Sequence, residues 1–152
     1  MSSGNVDDND VVILYKQFET KTGGRLDILD VTEEVIETVR ESGVRNGSAL
    51  VFSPHTTCCV LLCSPTPELK ESLLATLETI APSTGYYAHD DLSIRTENLV
   101  EDEPANGPAH IAHAVLGKAS EAIPIIGGEI ALGPRQRVLL VELDSSRPRS
   151  YA

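Results

Sequence analysis

Apolar and polar residues take turns through Val11–Phe18 (VVILYKQF) and Arg25–Leu29 (RLDIL), with Thr22-Gly23-Gly24 between them. A period of two predicts two strands joined by a turn. The period then changes. Asp30 to Ser42 spaces Val35, Ile36 and Val39 as one face of a helix. Thr32 is the expected N-cap, Val31 and Ile36 a hydrophobic staple, Glu33 and Glu34 acids for the positive first turn, and Gly43 the stop. After the Asn46-Gly47 turn come two greasy runs, Ala49–Phe52 and Cys58–Cys63, apolar on both faces as doubly covered strands are. A second helix starts at Ser64-Pro65-Thr66-Pro67 and runs to Ile80, with Leu69, Leu73, Leu77 and Ile80 as its apolar face.

The pattern breaks after Ala81-Pro82 and resumes in a short helix from Pro108 to Lys118 with Ile111 and Val115 as its stripe. Ala122–Ile126 and Glu129–Leu132 make a hairpin around Gly127-Gly128, and Arg137–Leu143 is the last clear strand. This order is α+β: a mostly antiparallel sheet or sandwich with two main helices and one short one. At 152 residues the chain suits a single domain over 11–152, with residues 1–10 (MSSGNVDDND) as a disordered acidic tail.

The formal charge of −11 disfavours nucleic acid and anionic membrane as partners, since both reward basic patches. No run reaches the roughly 18 apolar residues of a membrane span, and the polar, acidic N-terminus is no signal peptide, so a cytoplasmic location is expected. Cys59 and Cys63 would share one strand face about 13 Å apart, too far for a disulfide. Reduced thiols packed as small hydrophobes are expected at Cys58, Cys59 and Cys63.

The break between the helices holds the candidate chemistry. Ala88 to His113 carries three of the four histidines, six acids and one basic residue, Arg95. Long irregular connections in compact domains are usually functional or disordered. His55, His89 and His110 each sit at the end of an element, where side chains can meet in one cleft. Three neutral imidazoles with an open fourth position describe a catalytic zinc-type centre, although their spacings match no compact metal motif. Asp90 and Asp91 stand next to His89 and can orient its ring. His113 is peripheral, and Glu101-Asp102-Glu103 reads as a solvated charge run. Asn106-Gly107 offers turn amides to an anion, and Arg147 and Arg149 could grip phosphate through forked hydrogen bonds.

These stretches resemble the YjbQ-like family, also called UPF0047. The residues that carry the likeness are His55-Thr56-Thr57, Tyr87-Ala88-His89-Asp90, Asn106-Gly107-Pro108-Ala109-His110-Ile111, Leu116-Gly117, Ile123-Pro124 to Gly128, Leu132-Gly133-Pro134-Arg135-Gln136, Glu142 and Arg147-Pro148-Arg149. The resemblance implies a sandwich-like α+β fold and a homotrimer. It also implies a site gathering His55, His89 and His110, often around a divalent metal such as zinc or magnesium. Some members look like thiamine-phosphate synthases, which join hydroxymethylpyrimidine diphosphate to thiazole phosphate and release pyrophosphate. On that reading the catalytic residues are His55, His89, His110 and Asp90, and the phosphorylated substrate meets Thr56, Thr57, Asn106, Gly107, Gln136, Arg147 and Arg149. A metal-dependent phosphate-ester hydrolase and a non-catalytic trimer binding metal or an anion are the alternatives. Three departures stand out: Cys63-Ser64 replaces an Asn-Glu pair, Pro134-Arg135 replaces Thr-Trp, and the chain ends at Ala152, before the family's final strand.

Overall fold

The computed structural model describes residues 11–102 and 104–152; the acidic tail expected over 1–10 and Glu103 lie outside the described residues. The elements in chain order are β1 (Phe18–Lys21), β2 (Ile28–Asp30), α1 (Thr32–Ser42), β3 (Asn46–Phe52), β4 (Cys58–Cys63), α2 (Pro67–Ile80), a 3₁₀ turn (Ala88–Asp90), α3 (Gly107–Leu116), β5 (Ser120–Ile126), β6 (Glu129–Ile130), β7 (Arg137–Glu142) and β8 (Pro148–Tyr151). All pairings are antiparallel. β7 lies between β2 and β4, β5 between β3 and β6, and β1 pairs with β8. The mixed α+β architecture expected from the sequence is therefore present.

The central sheet explains why β4 and β7 read as unbroken apolar runs. Leu139 and Val141 of β7, with Cys59 of β4, face Leu77 of α2 and Ala109 and Ala112 of α3. Val138 and Leu140, with Cys58 and Val60, face Val31 and Val35 beside α1 and Val51 and Ile123 of the second sheet. Both faces are covered, so alternation of polarity disappears. Each fully buried Val or Leu contributes about 1.5–3 kcal/mol. The three cysteines are free thiols, as expected, and burial raises all three, Cys59 to about 12.

Several expectations need correcting. No hairpin joins the first two strands: β1 covers Phe18–Lys21 and pairs with β8, while β2 joins β7. Backbone bonds from Thr22 N–H to Arg147 O (3.0 Å) and from Leu26 N–H to Glu142 O (2.7 Å) draw the two into different sheets. Val11 to Gln17 forms no strand; Ile13 is 86% exposed, and the segment lines an apolar groove of about 920 Å³ with α1, β3 and Tyr151. Thr32 is the first helical residue, not the cap: Asp30 Oδ1 accepts its N–H (3.0 Å), and its buried hydroxyl accepts from Val138 N–H (2.9 Å). On α2, Thr66 Oγ1 caps the helix by accepting from Leu69 N–H (3.3 Å), but of the expected face of Leu69, Leu73, Leu77 and Ile80 only Leu77 is buried, with Leu73 half-buried. The stripe expected on α3 faces outward, Ile111 at 43% and Val115 at 52% exposure. Ala109 and Ala112 face the sheet, because small residues let the helix come close. The expected end of the chain without a final strand is also overturned: β8 pairs along its length with β1, from Phe18 with Tyr151 to Lys21 with Pro148.

The β5–β6 hairpin is as expected, with Gly127 and Gly128 at φ +67° and +97°, the conformation a tight two-residue turn demands. Among the described residues no helix is long and apolar enough to cross a membrane.

Candidate functional site

The connection from Ala81 to Asn106 is held by its own polar contacts. Tyr87 O–H donates to Pro82 O (2.9 Å), Ser83 N–H to Glu78 (2.9 Å), and Arg95 reaches the carbonyls of His89 (3.2 Å) and Asn98 (2.9 Å). This bracing sets the 3₁₀ turn beside the first residue of α3.

One carboxylate joins the two pieces. Asp90 Oδ1 accepts from His89 Nδ1 (3.0 Å) and from the Gly107 N–H (2.8 Å). A carboxylate on Nδ1 keeps the proton there and leaves the Nε2 lone pair of neutral His89 available. Gly107 has to be glycine, because a Cβ would stand 2.5 Å from Tyr87 Cβ and 3.0 Å from Asp90 Oδ2. One turn along α3, the His110 ring lies 4.4 Å from the His89 ring at a tilt of 39°. Burial, then the neighbouring His89, pushes the His110 pKa down; Asp144 opposes this, and Arg95 adds to it. At neutral pH, His110 is uncharged.

Asp144, just beyond β7, ties in the next groups. Its carboxylate accepts from Asn106 Nδ2 (2.9 Å) and pairs with Arg147 (2.8 Å). Its own N–H donates to Glu142 Oε1 (2.9 Å). Glu142 is wholly buried, and its oxygens also accept from Thr22 Oγ1 (2.7 Å) and Arg149 Nε (2.6 Å). Arg149, 6% exposed, also directs Nη2 at Glu142 Oε1 and at Thr57 Oγ1 (2.9 Å).

Of the residues predicted from the sequence, His89, Asp90, His110, Asn106, Gly107 and Arg147 are gathered into one connected cluster. The others stand apart. Thr57 and Arg149 belong to the sealed ion-pair cluster, so the expected forked grip of Arg149 on phosphate is corrected: its Nε–Nη2 edge is already turned to Glu142 and Thr57. Thr56 is exposed, and Gln136 is exposed at the opposite end of β7, where its Oε1 accepts from Gly133 N–H (2.8 Å). The five steps from Arg137 to Glu142 span roughly 17 Å.

His55 also departs from expectation. Its Nε2 accepts from the Ser150 N–H (2.9 Å), tying β8 to the loop before β4, and burial lowers its pKa. A neutral imidazole has one lone pair, and here it is spent on β8. Among the described residues no three of His, Cys, Asp and Glu are grouped to hold a metal ion. The three-histidine metal set of His55, His89 and His110 therefore does not fit the arrangement within one chain.

Sequence reasoning missed Asp144 as a site residue. Its signal was slight: an acid in the first position after the last clear strand, where β7 delivers side chains to the same end as the histidines.

This α+β sandwich, with a histidine–carboxylate cluster at one end of its central sheet, has counterparts. The model of the UPF0047 protein YjbQ-like family matches residues 16–152, and the chain belongs to that family. It is 33% identical to a UPF0047 protein of Archaeoglobus fulgidus over 85% of this chain and 90% of that one. With the UPF0047 protein YugU of Bacillus subtilis the identity is 27%, over 90% and 95% of the two chains. Among solved structures, a hypothetical protein of Aeropyrum pernix K1 superposes with a TM-score of 0.75 at 32% identity, covering 90% and 92% of the two chains. A YjbQ/UPF0047 protein of Clostridium acetobutylicum gives 0.76 at 29%, covering 91% and 97%.

Proposed function

We propose that this chain is an enzyme acting on a small phosphorylated substrate, with the His89–His110 pair moving the proton. The observation that carries the reading is the contact of those two rings at 4.4 Å, with Asp90 orienting one of them from the start of α3. Two imidazoles this close disfavour a double charge, so the pair can take up one added proton but not two, and pass it to a bound group. Arg147, whose Nε has no hydrogen-bond partner among the described residues, is the nearest candidate in the cluster for meeting phosphate charge.

The reaction proposed is the thiamine-phosphate synthase type that the family resemblance implies. The methylene–oxygen bond to pyrophosphate breaks, a methylene–nitrogen bond to the thiazole forms, and the imidazole pair protonates the departing oxygen. Stabilising charge on a leaving group is where such sites gain most. A neutral His110 equally suits an attacking water, so phosphate-ester hydrolysis is the second reading. Assembly as a homotrimer also belongs to the proposal; Leu50, Phe52 and Ile126, 64%, 42% and 65% exposed, leave an apolar sheet face that it could cover.

The test is direct. Purified protein is mixed with hydroxymethylpyrimidine diphosphate and thiazole phosphate, and thiamine phosphate is measured beside inorganic phosphate. Product formation should fall about 10²- to 10⁴-fold in His110→Gln. Product no greater than that variant's removes the synthase reading, and phosphate release alone transfers the case to hydrolysis.

A further inference from the structure

The stretch before β1 has the composition of a strand and no partner in its own chain. Four of the five residues Val11 to Tyr15 (VVILY) are β-branched or aromatic. Their exposures still alternate with a period of two: 80, 55, 86, 42 and 71%. Among the described residues, no backbone N–H or C=O of Val11 to Gln17 is paired. Lys16 pairs with Glu41 of α1, so the root of this arm is tied down while the apolar residues before it stay largely in water.

Across from the arm lies an open sheet edge. β3 pairs with β5 along one side. On the other side Phe52 is engaged: its N–H donates to Ala152 O (2.7 Å) and its carbonyl accepts from Ala152 N–H (2.9 Å). Alternation along an antiparallel strand turns Ser48 and Leu50 the same way as Phe52. Among the described residues neither has a backbone partner there. Sheet edges are ordinarily guarded by charge or proline. β3 (NGSALVF) carries neither, in a chain where 23% of residues are charged. Between this edge and the arm runs the apolar groove of about 920 Å³, floored by Val35 and Val39 of α1. The arm continues β1, and β1 pairs with β8, so Ala152 stands between the arm's root and β3. The chain's own arm thus starts one strand's width, about 4.8 Å, beyond the lane that β3 leaves empty.

We infer that Val11–Tyr15 is an exchange arm, added as a strand to the β3 edge of a second copy of this chain. The arm and the open stretch from Asn46 to Leu50 are equally long, about 17 Å each as strands. Run antiparallel, like every other pairing in the fold, Ile13 meets Ser48, Val11 meets Leu50 and Tyr15 meets Asn46. Val12 and Leu14 then turn to the apolar floor on α1, and Val11, Ile13 and Tyr15 extend the uncharged face begun by Leu50 and Phe52. Two chains of net charge −11 repel, so their contact has to be local, apolar and made through the backbone. The inference rests on the proposed function only in requiring more than one copy; it goes further in naming the segment exchanged and the edge that receives it.

Sedimentation of the full-length chain over a range of concentrations should show association, and Ile13→Pro should weaken it about tenfold or more by removing a ladder donor. That variant keeps its fold, because the arm has no backbone bonds of its own to lose. Leu50→Pro, whose missing N–H points away from β5, should act alike from the receiving side. Exchange between chains is read directly by mixing Ile13→Cys with Ser48→Cys, the two distinguished by mass, and oxidising. A disulfide-linked pair of unlike chains should form, in excess of what either variant gives alone. A monomeric native chain, association unchanged in Ile13→Pro, or a mixture that cross-links no more than its components each overturns the inference. The two readings fail separately. Association that survives Ile13→Pro removes the arm and leaves the homotrimer to the sheet face. A native chain that forms no thiamine phosphate, yet comes apart in Ile13→Pro, removes the synthase and leaves the arm standing.

Discussion

Two polar clusters lie within a few residues of each other at the end of β7, and they are built on opposite principles. The Glu142–Arg149–Thr57–Thr22 group is sealed: Glu142 is fully buried, Arg149 nearly so, and both carboxylate oxygens and the Nε–Nη2 edge of the guanidinium are occupied. The His89–Asp90–His110 group is half-open, with side-chain exposures of 29% and 20% at His89 and Asp90 and an acceptor nitrogen to spare. Both drew attention in the sequence for the same reason, charged or ionisable residues at element ends. Saturation and burial separate them. A charge whose partners are complete holds the chain together, whereas one with unused valence has room for a further partner. Asp144, bonded by its N–H to the first group and by its carboxylate to Asn106 and Arg147 beside the second, is the hinge between them.

The sharpest way to break this contrast is Glu142→Ala. It strands Arg149 inside the protein without its counter-charge, and breaking a buried pair from one side costs about 3–5 kcal/mol. That is a large part of the roughly 5–15 kcal/mol that holds a domain folded. Urea denaturation should show the midpoint collapse. His110→Gln should shift it by less than about 1 kcal/mol, because the histidine is half-open. If the two variants unfold alike, the division into a sealed and an open cluster is wrong.

Gly107→Ala probes the junction instead. The new methyl would meet Tyr87 Cβ at 2.5 Å, backed by a ring whose hydroxyl is bonded to Pro82, so little can give way. Overpacking of this kind typically costs 1–3 kcal/mol. The displacement should also part Asp90 from the Gly107 N–H, so loss of turnover is expected to exceed what the stability change explains. Full activity in a folded Gly107→Ala would show that the clamp does not position His89.

How much of this was readable beforehand follows from the range of each signal. β4, β7, the β5–β6 turn and the main spans of α1 and α2 rest on neighbours a few residues apart, and periodicity showed them. The β1–β8 ladder joins residues about as far apart as the chain allows, Phe18 to Tyr151, and local alternation at Val11–Phe18 pointed elsewhere. Ile111 and Val115 misled because size was taken for burial, while the close approach of α3 selects alanine. His89-Asp90 was legible as an adjacent ring and carboxylate, and its union with Asn106-Gly107 and His110 followed from element ends. His55 was not: nothing local reveals that its lone pair belongs to the backbone of Ser150.

The smallest effect, and the one that tests His55 directly, is on pH. His55, His110 and His113 all have pKa values lowered by burial from the ordinary value of 6.5. A histidine lowered in the folded state is protonated first in the unfolded chain, so the unfolded state binds more protons as pH falls. The stability is present in full above about pH 6.5 and is lost progressively below it, down to the folded values. Asp91 and Glu78, whose pKa values are lowered by hydrogen bonds, act with the same sign but only under their own ordinary values of 3.8 and 4.5. The melting temperature should therefore fall between about pH 7 and pH 5 on account of the histidines. In His55→Gln, whose amide oxygen can still accept from Ser150 N–H but does not titrate, the fall should be shallower. A steeper or unchanged slope would mean that burial does not hold the His55 pKa down in the folded chain.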